Sequence, residues 1–374
     1  MKDFMKKLPW LLAIPLAVFA QESTQEINEQ QITIETPVAQ IPAAQIQEEI
    51  AQVQEHKSPE EIQAELDAAE TQFARAQKMF NPWYTGPIVT PSPSMMPVGT
   101  GNLQPYLYIA DNYAAFNEDR ESISLPSNLV QVKGLFVIQT GVTDTTDILM
   151  VPSAVANWQD GQFGGGFNDL SVTYGFLINN QTRYTPQVKF TIGQTFPTGK
   201  YKNLSFNGLG LNATGGGAYS TQFGIVFGKL FFWTTQHPFN TRLFFGYQLS
   251  TTVHVENFNA YGGGFKTHGK VRPGNNIQAD LGLELSLSER WVLATDIVYT
   301  ANNRTTFTGH PGVTAEGTPA AVGGGFNDNL SIAPAIEYNW SSTAGFIGGA
   351  WFSVYGRNTL NFAQAVLSVT FSFP

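Results

Sequence analysis

The sequence contains no cysteine, which excludes disulfide bonds, thiolate catalysis and zinc sites with thiolate ligands. Charged residues are also scarce, at 13% of the 374 residues, roughly half of the ~25% typical of soluble domains. The formal net charge of −9 argues against binding to nucleic acid, which requires a basic surface. Beyond the first twenty residues no apolar run reaches the ~18 residues of a transmembrane helix.

Signatures of catalysis and of bound cofactors are missing too. None of the five histidines pairs with another at the spacing that metal ligands use, so we predict no metal site. No nucleophile elbow, phosphate-binding loop or dinucleotide fingerprint occurs, so we predict no cofactor and no enzymatic activity. One alternative is a hydrolase at the rim of a barrel, with His254 near Asp160 or Asp280.

Aromatic residues and glycine are abundant. The chain has 28 Phe, 13 Tyr, 7 Trp and 36 Gly, yet its mean hydropathy is only −0.11. Many aromatics, little charge and average hydropathy are typical of a protein wall that is apolar on one face only.

The first twenty residues have the layout of a secretory signal peptide. Three lysines within the first seven residues precede an apolar run from Leu8 to Phe19, and Ala20 is the predicted cleavage position. An uncleaved anchor helix is the alternative, but the run is shorter than the ~20 residues that a span needs. We therefore predict an exported protein.

The region before the barrel divides into three parts. Residues 21–57 are rich in Gln and Glu and are predicted to be a flexible tether. Residues 58–81 are predicted to form an amphipathic helix, because Ser58 is a suitable N-cap and Pro59 suits the first turn. Five prolines make residues 82–102 an extended linker. The helix either plugs the barrel or self-associates as a coiled coil, and removal of residues 21–80 would distinguish the two.

From residue 103 onward, hydrophobic and polar residues alternate with a period of two. Leu281, Leu283 and Leu285, for example, alternate with Gly282 and Glu284. About twelve such segments occur, most near the 9–11 residues with which a tilted strand crosses a bilayer. They lie near 103–110, 129–142, 146–156, 168–178, 187–197, 219–231, 241–255, 276–288, 291–301, 328–340, 343–355 and 361–373.

The joins between these segments alternate in length. Those at 143–145, 289–290 and 341–342 are short, whereas those at 111–128, 157–167, 198–218, 256–275 and 302–327 are long. Short turns on one rim and long loops on the other are typical of outer-membrane barrels. We therefore predict an all-β fold over residues 103–374: a transmembrane antiparallel up-and-down β-barrel of about 12 strands (10–14). A soluble β-sandwich is the alternative.

Two short motifs resemble a known family. Gly166-Phe167-Asn168-Asp169-Leu170 is similar to a strand start, and Pro197-Thr198-Gly199 to a loop start, of transporters named for the meta-cleavage pathway of phenol degradation. The resemblance covers residues 100–374. It implies a porin-like barrel related to channels for hydrophobic compounds, and it implies no catalytic residue.

Inward-facing positions of the predicted strands supply candidate pore-lining residues. If the apolar rows face lipid, acids from three consecutive strands face bases from the other half of the barrel, which would set a transverse field in a narrow pore. The alternative is a filled interior in which these ions pair. The candidates are Lys133, Lys189, Arg242, Gln248, Asp280, Glu284, Asp296 and Glu337.

A second group of candidates lies where long loops enter strands. Gly164–Ser171 returns in similar form as Gly323–Ser331, and glycine with Asn or Asp is typical of such turns. These loop-base residues are Gly166, Asn168, Asp169, Pro197, Gly199, Gly325, Asn327 and Asp328. Aromatic residues near strand ends, among them Tyr106, Tyr108, Trp291 and Trp351, are predicted to form the interfacial girdles.

These features predict a channel in the cell outer membrane for passive uptake of small solutes, with hydrophobic or aromatic compounds as candidates. The predicted partners are the lipid bilayer, lipopolysaccharide, a small-molecule solute and the outer-membrane assembly machinery, which would bind the C-terminal strand. The N-terminal segment is predicted to be periplasmic. Barrel proteins resemble one another in having an aromatic residue at the end of the last strand, whereas Pro374 is the last residue of this sequence. A structural or adhesive surface barrel acting through its long loops is the alternative.

Overall fold

The computed structural model describes residues 58–79, 85–231 and 237–373. The predicted signal peptide with its cleavage position at Ala20, and the predicted tether, lie outside the described residues. Helix α1 spans Pro59–Met79 and begins directly after Ser58, where the N-cap and proline signals occur. No helix in the described ranges has the length and hydrophobicity of a membrane span.

Seventeen strands follow α1. They are β1 (Gly101–Phe116), β2 (Ser122–Thr143), β3 (Thr146–Val151), β4 (Ser153–Gln159), β5 (Gln162–Phe167), β6 (Leu170–Asn179), β7 (Gln187–Phe196), β8 (Ser220–Phe231), β9 (Phe239–Ser250), β10 (Val253–Glu256), β11 (His268–Arg272), β12 (Asn276–Ser286), β13 (Trp291–Asn302), β14 (Thr306–His310), β15 (Asn327–Asn339), β16 (Ala344–Arg357) and β17 (Thr359–Phe373).

Fourteen of these strands close into an antiparallel barrel of 12. β1 pairs with both β2 and β17, so the sheet has no free edge. β3 and β4 both pair with β2 and are two parts of one barrel strand, interrupted at Pro152, which has no N–H to donate. β5 and β6 are likewise two parts of one strand, separated by Asn168 and Asp169. The predicted fold and strand number are confirmed.

Two predicted loops are wrong. Residues 111–128 are mostly the paired ends of β1 and β2, with only residues 117–121 between them. Residues 157–167 form the hairpin of β4 and β5, which turns at Asp160 and Gly161. Both turn residues have positive φ, 49° and 71°, as a two-residue hairpin turn of primed type requires. Polar and glycine-rich composition conceals these strands, because backbone pairing does not need apolar side chains.

The predicted long connections also contain regular structure. β10, β11 and β14 form a separate three-stranded antiparallel sheet. Val253, Val255, Val271 and Ala218 form a small hydrophobic cluster at this sheet. We call the barrel end with these connections the long-loop rim. The opposite end, with the start of β1, the end of β17 and the turn at 287–290, is the short-turn rim.

The two faces of the barrel wall differ as the alternation predicts. On β13, Leu293 and Ile297 are 45% and 38% exposed, whereas the Asp296 side chain between them is buried. Exposed Trp291 packs on Tyr338 near the short-turn rim, where an interfacial girdle is predicted. The prediction that Tyr106, Tyr108 and Trp351 belong to the girdles is wrong. They line the interior, because β1 and β16 direct them inward.

Candidate functional site

The proline-rich segment before β1 lies inside the barrel. We call residues 85–97 the strap. Near its start Thr85 contacts Glu337 on β15, and near its end the carbonyl of Ser94 accepts a hydrogen bond of 3.4 Å from Lys189 on β7. These two strands stand on different sides of the wall. The linker predicted from sequence is therefore partly an internal element of the barrel, a location that its composition did not indicate.

The middle of the strap is held by Asp296. Its carboxylate accepts hydrogen bonds from the backbone N–H of Val89 at 3.1 Å and from that of Thr90 at 3.0 Å. The hydroxyl of Thr90 donates a third bond at 2.5 Å. An extended segment without secondary structure has free N–H groups, and a buried carboxylate needs donors, so each group satisfies the other.

The start of the strap is held by Glu337. The N–H and the hydroxyl of Thr85 donate to this carboxylate at 3.2 and 2.9 Å. Next to it, Arg242 and Glu284 form a buried ion pair, with the arginine Nε 3.0 Å from a carboxylate oxygen. Gly86 lies under the guanidinium of Arg242, where any Cβ would be 2.8 Å from Nη1.

Glycines on the barrel wall permit the close approach of the strap. A Cβ at Gly282 would lie 2.9 Å from Cγ of Pro87, and one at Gly228 would lie 2.5 Å from Cγ of Pro93. Contacts between real Cβ atoms and their neighbours are essentially never under 3.0 Å. These two positions on β12 and β8 therefore match the wall to two of the four prolines of the strap.

The remaining predicted lumen ions are mostly paired as well. Lys189 and Asp147 form a buried ion pair of 2.7 Å, and Asp147 also accepts from Gln139. Asp280 is buried and accepts from Gln278 on its own strand at 2.7 Å. The candidates thus lie on the inner face, but the acids bind the strap, an adjacent base or, for Asp280, a glutamine on the same strand. The ion pairs agree with the alternative prediction that these ions pair, rather than with a transverse field between an acidic and a basic side.

Lys133 differs from the other interior bases. It lines a cavity of about 1070 Å³ that lies between the strap and the barrel wall. Its register partners are Tyr108 on β1 and Val155 on β4, which line the same cavity. Within the described ranges its ammonium has no ion pair or hydrogen bond.

Gln248 belongs to a second part of the interior, which is lined mainly by uncharged polar residues and by Asp169. It lines a separate cavity of about 320 Å³ near the long-loop rim, together with Asn276, Asn302 and Asn327. Asn276 donates to Asn302 at 2.9 Å, and Asn302 donates to Asn327 at 2.8 Å. These three amides form a ladder across β12, β13 and β15.

The loop-base residues separate into two unrelated contacts. Asp169 accepts from the N–H of Gly199 and of Gly216, both at 2.8 Å, and so fixes the connection that follows β7. Asp328 forms a bidentate ion pair of 2.7 Å with Arg120 in the β1–β2 turn. The sequence repeat therefore marks two anchoring points rather than one shared site.

The other predicted loop-base residues have local roles. Asn168 donates to the hydroxyl of Ser153 at 3.0 Å, and Asn327 ends the amide ladder. Pro197 directly follows β7, Gly166 has a φ of 154° within β5, and Gly325 lies in the connection before β15. Near Asp169, burial raises the pKa of the Tyr261 phenol to about 12, and the carboxylate adds to this rise.

Arg120 and the strap were missed by sequence reasoning. Arg120 lies in what was predicted to be a long loop, so no pattern connected it with Asp328. The strap residues carry ordinary backbone and hydroxyl donors, which leave no sequence motif. One available signal was the glycines at inward positions of strands, among them 228, 282 and 345, where a bulky element inside the barrel could be expected.

Comparison with known proteins supports the fold. No protein-family model and no curated protein matches the sequence. The COG4313 outer membrane channel from Pseudomonas putida F1 superposes with a TM-score of 0.59 at 13% identity, covering 78% of this chain and 100% of that chain. The NanC porin (TM-score 0.33, 11% identity, 72% and 98% covered) and the toluene transporter TodX from Pseudomonas putida (0.30, 10%, 73% and 89%) match too loosely to add to this. The chain has the fold of an outer-membrane β-barrel.

Proposed function

We propose that this protein is an outer-membrane channel for the passive passage of small solutes. The observation that carries the proposal is the closed barrel with an apolar outer face, which encloses a cavity of about 1070 Å³ lined by polar, charged and apolar side chains. A wall of this kind satisfies all backbone groups within the bilayer, and the cavity supplies room for a small solute inside it.

The narrow interior supports a selective channel rather than a general porin. Twelve strands enclose a lumen between that of the small side-chain-filled barrels and that of porins with 16–18 strands. The strap occupies part of this lumen through its bonds to Asp296 and Glu337. A solute must therefore fit the space that the strap leaves, which is of the size of drug-like ligand sites.

The proposed orientation places the short-turn rim in the periplasm. The barrel domain begins and ends at this rim, as in outer-membrane barrels whose short turns are periplasmic. Segments N-terminal to β1 would then be periplasmic. The C-terminal strand, paired with β1, would be the part bound by the assembly machinery, and lipopolysaccharide would surround the outer half of the wall.

Two measurements test the proposal. In cold detergent the folded barrel should migrate on gels faster than the boiled protein, since a closed barrel resists unfolding. Proteoliposomes should swell in isotonic solutions of small sugars, amino acids or phenols, whereas liposomes with boiled protein should not. A folded barrel that permits swelling with none of these solutes would contradict a channel function.

One observation favours a second candidate, a surface protein that acts through its loops. The long connections form the β10–β11–β14 sheet, and the side chain of Phe265 in this region is 65% exposed. Loss of adhesion after replacement of residues 257–267 by a short Gly-Ser linker, in a protein that causes no swelling, would support this candidate instead.

A further inference from the structure

The main cavity contains a base without a counter-ion. Lys133 is partly buried on β2 and its side chain lines this cavity. Each of the other two interior bases considered above has a carboxylate partner, Asp147 for Lys189 and Glu284 for Arg242. No acid within the described ranges lies within ion-pair distance of Lys133.

The acids of the barrel interior already have hydrogen-bond partners. The carboxylate of Asp296 binds Val89 and Thr90 of the strap, and that of Glu337 binds Thr85. These carboxylates lie on β13 and β15, which are separated from β2 by at least three strands of the wall. Lys133 is left as the uncompensated positive charge of the cavity.

The surface around Lys133 is largely apolar. Tyr108 stacks on Tyr106 with ring centroids 5.7 Å apart and meets Trp351 edge-on at 6.5 Å. On the other side the wall is aliphatic. These aliphatic lining residues are Leu135, Val137, Leu149, Val151 and Val155.

We propose that this cavity binds organic monocarboxylates with an apolar or aromatic body, and that the Lys133 ammonium binds the carboxylate. The inference rests on the proposed function, because it assigns a solute class to the channel cavity. An ammonium removed from water without a counter-ion is costly, and an anionic ligand would offset this cost through a charge-assisted hydrogen bond. The apolar body would contact the rings and the aliphatic wall, where burial of apolar surface is favourable.

The test uses benzoate and its uncharged analogue benzyl alcohol as probes. Their binding to the full-length protein in zwitterionic detergent is measured by titration calorimetry at pH 7. We expect benzoate to bind more tightly than benzyl alcohol. Lys133→Met should weaken benzoate binding about tenfold or more, equivalent to ~1.4 kcal/mol, and leave benzyl alcohol unaffected. Lys133→Arg should retain the preference for benzoate.

Lys200→Met is the matched control. It removes the same charge from an exposed position beyond the long-loop rim and should leave benzoate binding unchanged. Equal affinity of the wild type for both probes, or equal benzoate affinity of wild type and Lys133→Met, would overturn the proposal. Swelling assays separate this result from the proposed function, since a channel that passes neutral solutes but ignores benzoate disproves only the monocarboxylate site.

Discussion

Thr90 donates two hydrogen bonds to Asp296, one from its backbone N–H at 3.0 Å and one from its hydroxyl at 2.5 Å. Asp296 lies in the middle of β13, and the strap reaches it from the short-turn rim. The contact holds the strap in a part of the lumen that would otherwise be open. It is therefore the point at which the conformation of the strap and the width of the channel are most directly linked.

Replacement of Asp296 should widen the channel. Asp296→Ala removes the acceptor of three hydrogen bonds, and bonds to a charged group contribute about 1.5–3 kcal/mol each. We expect a higher single-channel conductance in planar bilayers because the strap is released. Asp280→Ala is the control, since its carboxylate bonds to Gln278 and not to the strap. Equal conductance of the Asp296 variant and wild type would show that the strap is held by other contacts.

A side chain on the wall should displace the strap as well. Gly282→Val places atoms where Pro87 and Thr90 now lie, and overpacking of this kind costs about 1–3 kcal/mol. We expect increased conductance with retained heat-modifiability. Gly193→Val serves for comparison, because that inward position on β7 faces Thr173 and Gln222 instead of the strap. The prediction fails if both variants conduct alike.

Loss of the buried Lys189–Asp147 pair should destabilise the barrel. Lys189→Met leaves a buried carboxylate without its cation, which typically costs about 3–5 kcal/mol. We expect the faster-migrating band of the folded barrel to disappear from gels at a lower temperature than in the wild type. Adding Asp147→Leu to this variant should recover part of the loss, because the uncompensated charge is then absent. If the Lys189→Met variant is as stable as the wild type, the Lys189–Asp147 pair does not stabilise the barrel.

Asp169 should control the order of the connection after β7. Asp169→Asn removes the charge that holds the N–H groups of Gly199 and Gly216. We expect faster tryptic cleavage at Lys200 and Lys202, followed by mass spectrometry of the products. Asp160→Asn, in the turn between β4 and β5, is the matched control and should not change the cleavage rate. Equal rates for the two variants would contradict an anchoring role for Asp169.

The fold could be predicted because alternation carries two kinds of information. In β13 the order Leu293, Ala294, Thr295, Asp296, Ile297 gives both the strand and the face of each side chain. The same period gave the number of strands and the inward position of Lys133. A strand of a membrane barrel meets lipid on one side, so the bilayer determines its alternation of apolar and polar residues. This alternation can be recognised without knowing which strands are its neighbours.

The strap and the hairpin extensions could not be predicted in the same way. The strap is held by backbone N–H groups of Val89 and Thr90, which every residue except proline has, so no residue type reveals them. The hairpin of β4 and β5 had a signal, Asp160-Gly161, that composition obscured. Pairing of Asp328 with Arg120 depends on the path of two distant turns, and that path follows only from the closed barrel.

Only residues 98–100 separate the strap from the first residue of β1. Three residues reach at most about 10 Å when fully extended. The C-terminal end of the strap therefore stays close to Gly101, even when its contacts with Asp296 are lost. Movement of the strap is thereby restricted to the part of the barrel mouth near the start of β1.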